Sequence, residues 1–160
     1  MAHIVVLGAG IAGLGTAMLL AGDGHEVTVL ERDPSPPPAP GEAARGSWER
    51  RGVNQFRLPH LLLCRFRQIC DAELPGAARA IDATGGIWMD GLDYIQGPPD
   101  RPRHPRQPGD DDFVMLTVCR PVVEAAMAQV AESTPKVEVR RGTAVRGLLT
   151  GPSARRGIPT

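Results

Sequence analysis

Residues 3–31 read HIVVLGAGIAGLGTAMLLAGDGHEVTVLE, and this stretch decides the fold. An apolar run, Ile4 to Leu7, stops at Gly8-Ala9-Gly10-Ile11-Ala12-Gly13. A helical segment follows, predicted over residues 10–22, with Ile11, Leu14, Met18 and Ala21 on the face turned to a sheet. Gly22 and Gly24 stop it, and a second apolar run, Val27 to Leu30, ends on Glu31. Strand, G-x-G-x-x-G turn, helix, strand and acidic residue in that order make a dinucleotide-binding fingerprint. Gly8 allows the tight turn, Gly10 lets a pyrophosphate approach the backbone, and Gly13 lets helix and strand pack closely. The free N–H groups of Ile11, Ala12 and Gly13 and the positive end of the helix face the phosphates. Glu31 stands 18 positions after Gly13, suited to accept a ribose hydroxyl. A glycine-rich turn that binds nothing, with Glu31 merely solvated, is the alternative the residues leave open.

The remaining chain fits one α/β domain. Its 160 residues suffice to bury a core. The 18 basic and 18 acidic residues balance, so no global field argues for nucleic acid or an anionic membrane. Lys136 is the one lysine, which reads as codon bias before it reads as phosphate binding. Cys64, Cys70 and Cys119 are odd in number, lack a C-x-x-C and sit in apolar settings, which suits reduced thiols and a cytoplasmic setting. No secretory signal opens the chain, and no apolar stretch reaches the roughly 18 residues of a membrane helix.

Residues 33–58 read as loop. Five prolines between Pro34 and Pro40 exclude helix and central strand. Arg45, Arg50, Arg51 and Arg57 then interleave with Trp48 and Phe56, offset by Glu42 and Glu49. That mixture suits a loop lying near a bound anion better than a nucleic-acid surface. A helix is predicted to begin at Pro59, with His60 in its first turn and a stop at Pro75-Gly76. A short helix over residues 77–83 and a strand at Ile87-Trp88-Met89 follow. Residues 97–112 form a second Pro- and Arg-rich loop ending in Asp110-Asp111-Asp112, whose spacing is wrong for a calcium loop, so no metal site is expected. A strand over residues 113–118 leads to a helix opened by Arg120-Pro121, then strands at Val137-Val139 and over residues 144–149. Residues 151–160 read as an irregular tail. A parallel sheet of about three strands with one unpaired edge is expected.

Three stretches carry a family resemblance: Val5 to Leu14, Val27 to Arg32, and Arg120-Pro121-Val122-Val123-Glu124 followed by Val137 to Arg140 and Val145 to Leu149. Arg51 to Gln55 with Pro59 to Leu62 adds to them. The chain resembles the N-terminal part of the FAD-dependent oxidoreductases and monooxygenases of the p-hydroxybenzoate hydroxylase type. The resemblance implies a Rossmann-like FAD/NAD(P)-binding fold and FAD as cofactor, with NAD(P)H as reductant and a small-molecule substrate. It implies that Gly8, Gly10 and Gly13, with Ile11 and Ala12, hold the pyrophosphate and Glu31 the adenosine ribose. Arg32 would flank the adenine, Arg120 and Arg51 would reach the cofactor, and the Val145 backbone would lie near the adenine. The family's Asp-Gly and later Gly-Asp motifs are not found, Gly109-Asp110 being set in a Pro/Arg loop. The chain is therefore expected to be a fragment, truncated before the substrate domain. No catalytic residue is assigned. A NAD-binding dehydrogenase module and a folded remnant without activity are the alternatives.

Overall fold

The computed structural model describes residues 1–96 and 105–148. The strand β1 (His3–Leu7), the helix α1 (Ile11–Gly22) and the strand β2 (Glu26–Leu30) form the expected βαβ unit. β1 and β2 pair in parallel from His3↔Glu26 to Leu7↔Leu30. The last strand, β6 (Val137–Arg140), joins the far side of β2, also parallel, so the order is β1-β2-β6. This is the predicted three-stranded parallel sheet, with β1 at an edge.

Side-chain alternation sets the faces. Val6 lies under α1, within reach of Gly13, and its register partner Val29 is fully buried. Val5 and Leu7 point the other way and are more than half exposed. α1 buries Leu14, Ala17, Met18 and Ala21, which fits the helical spacing read from the sequence.

The structure adds a second sheet that the sequence pattern does not predict. The strands β3 (Pro59–Leu62), β4 (Ile87–Asp90) and β5 (Val114–Cys119) pair antiparallel in the order β3-β5-β4. The helix predicted from Pro59 is therefore wrong at its start: His60 and Leu62 sit opposite Val118 and Leu116, and the helix α3 begins at Cys64 and ends at Glu73. A short apolar run such as Leu61-Leu62-Leu63 has no decisive period. Pairing with a strand more than fifty residues away decides it. Pro75 also does more than stop a helix, since it opens the helix α4 (Pro75–Asp82).

The loop over residues 33–58 is likewise only partly loop. Residues 33–40 are irregular, as the prolines require, but Glu42–Ser47 is a short helix, α2. Trp48 and Phe56 flank the following bend, buried against each other edge to face with ring centroids 5.3 Å apart. They are core, not a stacking platform for bases. In the loop over residues 97–112, the part at 97–104, with Pro98, Pro99, Arg101, Pro102 and Arg103, lies outside the described residues. It follows a short helix, α5 (Gly91–Gln96), and the chain returns through a 3₁₀ turn at Asp110–Phe113.

The centre of the molecule is α6 (Arg120–Ser133), which buries every residue from Pro121 to Ala128, and Ala131. It packs against α1, α2, α4 and β6. A helix apolar nearly all round belongs in a core. The strand predicted over residues 144–149 does not form: residues 143–148 are irregular, and Leu149 lies outside the described residues. Gly142, at φ +70°, turns the chain back under the loop after β2, where Thr143 donates its N–H to the Glu31 carbonyl at 2.8 Å. The predicted tail at residues 151–160 also lies outside the described residues.

Candidate functional site

The carboxyl ends of β1 and β2 open onto a cavity of about 350 Å³. Its wall includes Gly8, Gly10, Glu31, Arg32, Arg51, Arg120 and Val145, seven of the residues singled out from the sequence, together with Arg50. Ile11, Ala12 and Gly13 form the first turn of α1 behind it. Fold and register thus bring together residues from both ends of the chain.

Each glycine of the turn has a distinct physical role. Gly8 adopts φ +95°, a conformation that favours glycine, and donates its N–H to the Leu30 carbonyl at 2.8 Å. A Cβ on Gly13 would strike the Gly8 carbonyl, so Gly13 is required for α1 to lie so close to β1. Gly10 is different. Its backbone is extended (φ −87°, ψ 179°), open to any residue, and a Cβ there would meet nothing nearer than an Arg50 nitrogen at 4.0 Å. The protein itself does not need glycine at position 10. Its backbone is open to close approach from the cavity. The N-terminus of α1 carries no side-chain cap and no acidic residue in its first turn. Its free N–H groups and positive dipole end are left for an anion.

Glu31 is held more tightly than the sequence suggested, being only 4% exposed. Its Oε2 accepts the Ala9 N–H at 2.7 Å and a bond from Arg50, and its Oε1 accepts the Asp33 N–H at 2.9 Å. Those donors occupy three of roughly four lone-pair sites on a carboxylate. Burial opposes its charge, but the Asp33 and Ala9 N–H groups and the Arg50 guanidinium prevail and hold its pKa below the ordinary 4.5. Glu31 therefore pins the glycine turn to the end of β2, besides facing the cavity.

Sequence reading missed the hub of the site. In the sequence Arg50 is one of four arginines in a loop, and the family resemblance points to Arg51 instead. In the structure Arg50 is 8% exposed and crosses the floor of the site. It pairs with Glu31, donates to the Ala9 carbonyl at 3.2 Å and pairs with Glu124 at 2.5 Å. Burial works against its charge, yet bonds and fields from Glu124 and Glu31 raise its pKa. Its buried Nε has no hydrogen bond among the described residues and lies 3.9 Å from Asp33. Glu124 is wholly buried and also accepts from Arg120 Nε at 2.7 Å. A signal for Glu124 existed: the one carboxylate inside the otherwise apolar run from Pro121 to Ala128 must find a cationic partner. Nothing local distinguished Arg50 from Arg45, Arg51 or Arg57.

Arg51 and Arg32 sit at the outer rim, where Arg32 donates to the Arg51 carbonyl at 3.4 Å. Both also border a wider opening of about 680 Å³ beside Pro34, Ser35 and Gly52. Four guanidiniums in the cavity wall face Glu31 beside them and Glu124 and Asp33 behind Arg50, which leaves a small cationic excess suited to a pyrophosphate. Among the described residues no group of three or more His, Cys, Asp or Glu is placed to hold a metal. None of the described helices is long and apolar enough to cross a membrane.

These features can be set beside known proteins. Residues 3–49 match the family of FAD-dependent oxidoreductases. The NAD-dependent dihydropyrimidine dehydrogenase subunit PreT of Escherichia coli K12 is 35% identical over 63 residues, a stretch that covers 39% of this chain and 13% of PreT. Among solved structures, PqsL, a probable FAD-dependent monooxygenase from Pseudomonas aeruginosa, superposes with a TM-score of 0.60 at 17% identity. The match covers 95% of this chain and 36% of PqsL. The p-nitrophenol 4-monooxygenase PnpA of Pseudomonas putida DLL-E4 gives 0.53 at 20% identity, covering 89% of this chain and 33% of PnpA. The likeness to FAD-dependent oxidoreductases thus lies in the N-terminal βαβ unit and the loop after it, and the fold of PqsL and PnpA is shared over most of this chain. It spans about a third of the length of those solved neighbours.

Proposed function

We propose that this chain is the FAD-anchoring part of a flavin-dependent oxidoreductase of the monooxygenase type. The observation that carries the reading is the cavity at the end of β1 and β2, where an uncapped helix N-terminus, an unobstructed Gly10 and four arginines converge. The donor set fits the adenosine-diphosphate half of FAD. Gly8, Gly10 and the first turn of α1 (Ile11, Ala12, Gly13) would take the pyrophosphate, with Arg50, Arg51 and Arg120 neutralising it. Glu31 would offer its remaining lone-pair site to a ribose hydroxyl, and Arg32 and Val145 would bound the adenine side. Bound FAD would supply the redox chemistry, with reduced nicotinamide as electron donor. Residues facing the flavin ring, and those choosing a small-molecule substrate, would belong to a longer polypeptide, to which this chain corresponds in about a third of its length. Sequencing the gene beyond Thr160 tests that point: a stop codon at once would refute it.

A nicotinamide-binding module is the second reading, favoured by the stretch shared with PreT and by Glu31, since a carboxylate suits NAD over a 2′-phosphate. Thermal shift separates the two. FAD and ADP should stabilise the protein, and NAD should do so more weakly than FAD. A stronger shift with NAD, or none with either, overturns the FAD reading.

A further inference from the structure

We propose that Glu124 is a positioning residue that yokes Arg50 and Arg120 and aims both at the phosphate end of the cavity without touching the ligand. The inference rests on the dinucleotide reading of that cavity. Glu124 lies in the first turns of α6 with its side chain fully enclosed, where a carboxylate survives ionised only with good partners. Its two oxygens take different arginines: Oε2 takes Arg50 at 2.5 Å and Oε1 takes Arg120 at 2.7 Å. Both arginines line the cavity. They come from distant parts of the chain, one from the bend after α2 and one from the head of α6.

The remaining contacts show why a yoke is needed. Among the described residues, the other anchor of Arg120 is Nη1, which donates to the Asn54 carbonyl at 3.2 Å. Its Nη2 has no hydrogen bond among the described residues. It is thus held through Nε and Nη1, with Nη2 left to donate elsewhere. Arg50 is shared between Glu31 and Glu124, which face it from β2 and α6. Without Glu124, Arg50 would be drawn to Glu31 and Asp33, and Arg120 would lose its inner restraint. Two guanidiniums with fixed planes would become one overcommitted and one loose. Phosphate recognition depends on such fixed, forked donors more than on net charge.

The test measures dissociation constants for ADP and for adenosine, with melting temperature alongside, in the wild type, Glu124→Gln and Glu124→Asp. Glu124→Gln should weaken ADP by about 10–100-fold, by analogy with the outer-shell partners of metal ligands, and change adenosine by less than about threefold. Glu124→Asp keeps the charge but retracts it by one methylene. It should show a smaller loss that is again confined to ADP, and it decides the matter if the glutamine variant does not fold. Unchanged ADP affinity in a folded variant overturns the proposal. So does an equal loss for ADP and adenosine, which would mark a merely structural role. A wild type that binds neither ligand overturns the dinucleotide reading, and this inference with it.

Discussion

Removing Arg50 probes the buried ion-pair network at the floor of the site. Arg50→Met keeps the length and apolar stem of the side chain but strips one guanidinium from two buried carboxylates, Glu31 at 4% and Glu124 at 0% exposure. Breaking a buried ion pair from one side costs about 3–5 kcal/mol, because the charge left behind has lost its compensation. Glu31 would keep the Ala9 and Asp33 N–H groups, and Glu124 would keep Arg120, so the lower half of that range applies. For a domain of this size each kcal/mol is worth about 2–4 °C, giving a loss of roughly 6–16 °C in melting temperature. The pH dependence carries the sign. Glu31 has a folded pKa below its ordinary 4.5, so its contribution is complete above pH 4.5 and is lost as pH falls through the folded value. In Arg50→Met that pKa rises, so acidification costs the variant less, and the two stability curves converge below about pH 4.5. Urea denaturation at pH 7 and at pH 4 measures both effects. Adding Glu31→Gln and Glu124→Gln to Arg50→Met should recover much of the loss at pH 7, since no charge is then left buried alone. A loss below about 1 kcal/mol at pH 7, or a gap that does not narrow in acid, refutes the description of Arg50 as the hub.

Other outcomes follow from the same contacts. Gly10→Ala should leave stability within about 0.5 kcal/mol of wild type, because its Cβ meets open space, yet weaken FAD and ADP binding measured by titration. Gly13→Ala should lower stability by about 1–3 kcal/mol in urea, because its Cβ runs into the Gly8 carbonyl and backbone cannot yield cheaply. Leu14→Ala, at a fully buried site between α1 and the sheet, should cost about 2–5 kcal/mol by the same assay. Cys70 is buried and its thiol is pushed up to about 11, mainly by burial, so a thiol reagent at pH 8 should leave it unmodified in the native protein and label it on unfolding.

The parts of the fold fixed by local pattern were legible. The glycine turn, the spacing along α1 and the Arg120-Pro121 helix start each need only neighbouring residues, and each stands where the sequence placed it. Features set by distant partners were not. Leu61-Leu62-Leu63 reads equally as helix or strand until β5 arrives to pair with it. Residues 144–149 read as another strand, but Gly142 and the Thr143 bond to Glu31 carry the chain across the strand ends instead. The site divided in the same way. Its glycine cradle and Glu31 follow a spacing rule, whereas Arg50 acquires its role from Glu31 and Glu124, 19 and 74 positions away. Glu124 could have been found by asking what a carboxylate does inside a buried helix.

Equilibrium titration of FAD fluorescence with the purified chain, followed by displacement with ADP, tests the central claim most directly. The account predicts saturable, equimolar FAD binding that ADP reverses and that rising salt weakens, as a cavity walled by arginines requires. FAD fluorescence unchanged by the protein, or a complex that excess ADP fails to displace, would contradict it.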